Sequence, residues 1–141
     1  MRRVTLTCTL LLSLTAAGCG DDNTPTTPIN PTPVTVTETF TGTLAVSGAT
    51  SHPFQVTSVI GGEVIATLKS IAPDGGSVVG FQLGTWSSSS STCQAIISND
   101  RATVPLALIG RATGPNMLCA RVYDIGALAG AQDYEVEVTH P

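Results

Sequence analysis

The sequence predicts an all-β chain, an antiparallel β-sandwich of jelly-roll type with about eight strands, and three observations carry that expectation. Apolar residues recur at every second position in short runs, the signature of strands with one buried face. Clusters of Gly, Pro, Asn, Asp and Ser separate the runs at turn spacing. The 141 residues include 14 Gly and 9 Pro with abundant Thr, a composition that interrupts helices and favours the pleated surface of a sheet. One open sheet would leave its apolar face in water, so the strands are expected to form two packed sheets.

The strands follow in order. Phe40, Gly42, Leu44 and Val46 share one face of the first, with Thr39, Thr41, Thr43 and Ala45 opposite. Phe54 and Val56 belong to a second, with His52 and Pro53 read as its entry, and Val64, Ala66 and Leu68 form a third. The turn signal Pro73-Asp74-Gly75-Gly76 precedes a fourth, carried by Val79, Phe81 and Leu83. Residues 94–97, then 103–109, then Leu118, Ala120 and Val122 continue the series. Pro105 lacks an amide donor, which assigns its run to a sheet edge. Residues 125–131, rich in Gly and Ala, read as a loop. Tyr134, Val136 and Val138, alternating with Glu135, Glu137 and Thr139, make the last strand.

The N-terminal region has a different character. Arg2 and Arg3 precede an uncharged stretch from Val4 to Ala17, then Gly18, the order of a secretory signal peptide. That stretch is too short for a membrane span, which takes roughly 20 residues. Ala16-Ala17-Gly18-Cys19 resembles the lipobox of bacterial lipoproteins, and the resemblance implies cleavage before Cys19 and acylation of its thiol. Gly20 after the cysteine, in the same resemblance, points to the outer membrane or cell surface rather than the inner membrane. Residues 24–37, TPTTPINPTPVTVT, contain Pro25, Pro28, Pro31 and Pro33 and read as an extended linker, and the whole stretch 20–37 is a tether reaching at most roughly 55 Å. The expected organisation is a signal peptide over 1–18, a lipidated cysteine and linker over 19–37, and a sandwich over 38–141.

Of four cysteines, Cys8 leaves with the signal and Cys19 takes the lipid, so Cys93 and Cys119 remain as one disulfide pair in an oxidising compartment. They lack Cys-x-x-Cys spacing and a neighbouring base, so the bond is expected to be structural. Loss of residues 1–18 leaves Lys69, Arg101, Arg111 and Arg121 against ten acidic residues, a net charge of −6 without a basic cluster, which disfavours nucleic acid as a partner.

Gly-x-Ser-x-Gly, His-Glu-x-x-His and a phosphate-cradling loop are all absent from the sequence, and its two histidines read as solvated loop and terminal residues. The expectation is therefore no enzyme and no required cofactor. Asn99, Asp100, Asp124 and Asp133 are the oxygen donors a Ca²⁺ ion would use, although Asn and Asp make turns without any metal, and the turn reading is favoured. Trp86, the single tryptophan, borders the serine run 87–91. Burial against the disulfide is its favoured role, and an exposed platform for a sugar or a partner protein is the alternative.

At the level of its strands the chain resembles the bacterial pre-peptidase C-terminal domain over about residues 38–139. The pattern lies in Gly42 and Leu44, Phe54-Gln55-Val56, Val64-x-Ala66-x-Leu68, Arg121-Val122-Tyr123 and Tyr134-x-Val136-x-Val138. The resemblance implies a β-sandwich accessory to another exported protein. The expected function is an exported, lipid-anchored, non-enzymatic binding or accessory module at the bacterial envelope, held to the membrane through Cys19 and meeting an envelope protein or glycan. The alternatives are a carbohydrate-binding module using Trp86, and a structural envelope protein assembling through an edge strand around Val104 to Ile109.

Overall fold

The computed structural model describes residues 34–141. The signal peptide, Cys19 and most of the tether lie outside the described residues. Eight strands are present, β1 (Val36–Leu44), β2 (Ala49–Val56), β3 (Gly62–Ala72), β4 (Val79–Ser87), β5 (Thr92–Ala102), β6 (Leu106–Ala112), β7 (Asn116–Tyr123) and β8 (Gln132–His140), with no helix among the described residues. They form two antiparallel sheets, β1-β8-β3-β6 and β2-β7-β4-β5. Every connection except the β4–β5 hairpin passes from one sheet to the other, which is the wrapped order of a jelly roll.

The period-2 pattern decides what faces inward. Val136 and Val138 on β8, Val64, Ala66 and Leu68 on β3, Val79, Phe81 and Leu83 on β4, and Leu118, Ala120 and Val122 on β7 fill the space between the sheets. A bulge between Leu68 and Ser70 shifts the alternation of β3 by one residue, so that Ile71 rather than Ser70 is buried.

Several boundaries differ from the sequence reading, each for a physical reason. β1 begins at Val36, two residues inside the expected tether, because Val36 and Thr37 pair with His140 and Thr139. Val46 is half-exposed beyond the end of β1, in a turn closed by the Gly48 amide on the Ala45 carbonyl. His52 and Pro53 lie within β2 instead of ahead of it; β2 is an edge strand, where a missing amide leaves no ladder bond unmade. β5 runs through Asn99 and Asp100, which form no turn: Asn99 pairs with Phe81, and a register shift against β4 absorbs Asp100 and Arg101 as a bulge, with the Arg101 amide donating to Asn99 Oδ1 at 2.8 Å. β6 starts at Leu106, just after Pro105, and lies at an edge as that proline predicts. The 125–131 segment is a loop, as read, organised by Asp124, whose Oδ1 accepts from the amides of Gly126, Ala127 and Leu128.

Three glycines make room for cross-strand groups. Gly42 pairs in register with Tyr134 and Gly80 with Tyr123, and a β-carbon at either would strike the tyrosine ring or hydroxyl, at 2.7 Å and 2.1 Å respectively. Each ring covers its neighbour's bare backbone, an arrangement known to restore the packing a strand glycine gives up. Tyr123 spans β4 in this way and donates its hydroxyl to Asp100 on β5. Gly84 pairs with Cys119 on one side and Ala95 on the other, and a β-carbon there would lie 2.0 Å from the Gln94 carbonyl oxygen. The Cys93–Cys119 disulfide joins β5 to β7 on either side of β4 at this level, with its α-carbons 5.8 Å apart.

Gly84→Ala is therefore expected to cost about 3 kcal/mol, because the added methyl meets backbone that cannot rotate away. Gly130→Ala, with no atom within 4 Å of its added carbon, is expected to stay within about 0.5 kcal/mol of the parent. Urea midpoints of the two variants check this. Reducing the disulfide, which closes 26 residues, is expected to remove roughly 3.5 kcal/mol in the same assay.

Candidate functional site

The densest polar cluster lies between the sheets at the edge where β1 meets β2. Alternation turns Glu38, Phe40 and Gly42 of β1 toward the interior along with Leu44, and His52 of β2 along with Phe54 and Val56. Tyr134 and His140 enter from β8, 3% exposed each. Phe40 stacks on His52 with ring centroids 5.0 Å apart, and Tyr134 meets the same imidazole edge-on. Tyr134 Oη lies 2.7 Å from His52 Nε2. One strand-width away, Phe54 packs against His140, whose Nε2 lies 2.8 Å from Glu38 Oε1.

Burial disfavours the imidazolium and holds the His52 pKa below its ordinary 6.5. Burial likewise raises that of the Tyr134 phenol, opposed by a hydrogen bond from Thr50. A neutral His52 has one unprotonated ring nitrogen, able to accept from the tyrosine hydroxyl in the tautomer that leaves Nε2 bare. His140 and Glu38 form the second pair, with the imidazole buried and the carboxylate at the rim. Among the described residues neither imidazole bonds a serine, threonine or cysteine side chain. The cluster lacks the nucleophile–base contact of covalent catalysis and acts as a polar, aromatic closure of the sandwich edge.

Both histidines are interior, which corrects their reading as solvated residues. The signal was present: His52 continues the alternation of Phe54 and Val56, and His140 that of Tyr134, Val136 and Val138.

The four oxygen donors considered for Ca²⁺ are kept apart by bonds of their own. Asn99 caps the Arg101 amide, Asp100 accepts from Tyr123, Asp124 binds the amides of its loop and that of Ser47, and Asp133 accepts from the Thr43 hydroxyl at 2.6 Å. Asp133 moreover lies in β8 and not in a loop. Among the described residues no three His, Cys, Asp or Glu side chains gather as a metal set. Those amide bonds, that of Ser47 foremost, lower the Asp124 pKa; burial, with the Asp100 hydrogen bond and charge, pushes that of Tyr123 up to about 12.

Trp86 lies near the end of β4, half-buried, in register with Cys93 beside the disulfide. It is neither sealed in the core nor free in solvent. The adjoining serine run is organised by its own hydroxyls, with Ser90 bonding both Ser87 and Thr92.

No family model matches the sequence, and no curated protein matches it. The pre-peptidase resemblance therefore rests on its strand patterns alone. Among solved structures the chain is similar to Aeromonas hydrophila PliG, a periplasmic lysozyme inhibitor of g-type lysozyme. The TM-score is 0.52 at 15% identity, over 74% of this chain and 86% of that one. At this identity the two share a fold.

Because His52 binds its proton more weakly folded than unfolded, its contribution to stability is complete above pH 6.5 and falls as pH drops from there toward its lowered folded value. Urea unfolding at stepped pH is expected to show this decline, and His52→Gln is expected to flatten the part of it that this residue supplies.

Proposed function

We propose that the chain is an exported, lipid-anchored, non-enzymatic protein whose β-sandwich head binds a protein partner at the bacterial envelope. The observation that carries this reading is the fold shared with a periplasmic inhibitor of g-type lysozyme. An envelope protein of that architecture acts by contact, and a wall-cleaving glycosidase is the first partner to test. The net charge of −6 in the mature chain supports a cationic partner, since opposite fields raise encounter rates. Cys19 is the anchor in this reading: acyl chains contribute about 0.8 kcal/mol per buried methylene, and two or more hold a protein stably on a bilayer. The strand patterns resembling the pre-peptidase domain support the same accessory role. Enzyme chemistry finds no support in the β1–β2 edge cluster.

Trp86 supports a second reading, a carbohydrate-binding module, because it is only partly buried beside a hydroxyl-rich hairpin end. Assembly through an edge strand is supported by the position of β6 and by Ile109, 58% exposed on it.

Cells fed an alkyne-tagged fatty acid are expected to label the wild-type chain and leave Cys19→Ser unlabelled; equal labelling would refute the anchor. Clearing of peptidoglycan by a g-type lysozyme is expected to slow when the mature protein is added at stoichiometric amounts. Unchanged clearing with glycan binding that Trp86→Ala abolishes would favour the second reading, and concentration-dependent oligomers would favour the third.

A further inference from the structure

The sandwich edge where β5 meets β6 is left partly open, whereas the β1–β2 edge is filled by rings. Ile97 and Leu106 cover part of it. The inward position of β6 opposite Val64 is Gly110, and Gly84 stands across from it on β4. Without a side chain at Gly110, a slot of about 80 Å³ remains, walled by Val64, Leu83, Ile97 and Leu118 with Gly84 backbone on its lining. It borders a wider basin of about 240 Å³, where Thr85, Thr113 and Asn116 supply polar groups. Ile96, 67% exposed, and Arg111 line both spaces.

Arg111 faces Glu63 in register on β3, yet among the described residues it has no ion-pair partner. It lines both the slot and the basin, an exposed cation with several donors beside apolar surface in a molecule that is acidic overall. An apolar cleft with few polar groups is the usual form of a small-ligand site, and such sites begin at about 300 Å³, close to what slot and basin offer together.

We propose that this edge binds a medium-chain aliphatic carboxylate, with its head on Arg111 in the basin and its chain in the slot beneath Ile96. The acidic surface elsewhere repels an anion, so Arg111 fixes both the place and the orientation. The narrow slot takes an unbranched chain more readily than a ring. Each methylene it covers strengthens binding about fourfold. This site is distinct from Trp86 and from the β1–β2 cluster, and it does not depend on the identity of a protein partner.

The test uses the full-length exported protein with octanoate, and octyltrimethylammonium as the cationic match, read by calorimetry and amide chemical shifts. Octanoate is expected to saturate one site with shifts centred on Gly84, Ile96 and Gly110, and the ammonium to bind at least about tenfold more weakly. Arg111→Ala is expected to weaken octanoate about tenfold. Gly110→Ala places a methyl 3.1 Å from Leu83 Cδ2 and 3.4 Å from Ile97 Cδ1, filling the slot, and is expected to abolish binding with the melting temperature retained. Should that variant unfold, Arg111→Ala and the shift map decide. No saturation below the micelle threshold, equal binding of the ammonium, or shifts centred on Trp86 would each overturn the proposal. So would saturation by acetyl-Asp-Leu-amide where octanoate has none, which would reassign the edge to a peptide.

Discussion

The second sheet depends on what β4 leaves out. β5 is an edge strand, bulged twice against β4, and a ladder so interrupted holds its strand less firmly than a regular one. Two groups from β7 compensate by reaching across β4 to β5: the Tyr123 hydroxyl to Asp100 over bare Gly80, and the disulfide from Cys119 to Cys93. Gln82 lies between them, 5% exposed, and donates to the Cys93 carbonyl at 3.1 Å. Two attachments thus bind the outer strand to the one beyond its neighbour, and the Gln82 bond ties it to β4 itself, in a domain with few aromatic residues in its core.

The two open edges of the sandwich are treated differently. At the β1–β2 edge, Phe40, His52, Tyr134, Phe54 and His140 fill the gap, and the polar atoms of the three titratable rings are met by one another, by Glu38 and by Thr50. No described buried side-chain nitrogen or oxygen is left without a partner. This edge is pH-sensitive because burial favours neutral His52. At the β5–β6 edge glycines replace rings, and apolar surface remains in contact with solvent under a single arginine. Ile96 and Ile109, 67% and 58% exposed, add large apolar side chains to the surface of that edge.

Much of this was legible in the sequence, because alternation is local. Phe81, Leu118, Val136 and their neighbours are buried where period-2 reading puts them, and the edge position of β6 follows from one proline. The disulfide followed from counting thiols. What escaped was whatever depends on partners distant in sequence. His52 and His140 continue the alternation of their own strands, but they are 88 positions apart, and their cluster with Phe40, Phe54 and Tyr134 exists only once β1, β2 and β8 are brought together. The Asn99–Asp100 pair makes a turn in most contexts, yet Asn99 pairs with Phe81 of β4 and Asp100 enters a bulge under the Tyr123 hydroxyl. The slot beside Gly110 needs a missing side chain on one sheet and apolar walls from the other, so the glycine does not announce it alone.

The functional account joins an export signal to a head that requires oxidised cysteines and acts by binding. Its most direct test is the state of Cys93 and Cys119 inside living cells, trapped by rapid alkylation before lysis. Made with its N-terminal segment, the protein should resist the reagent at both positions until a reductant is added, and deletion of residues 1–18 should leave both open to it. Free, reactive thiols in the intact chain would place it in a reducing compartment and contradict the account.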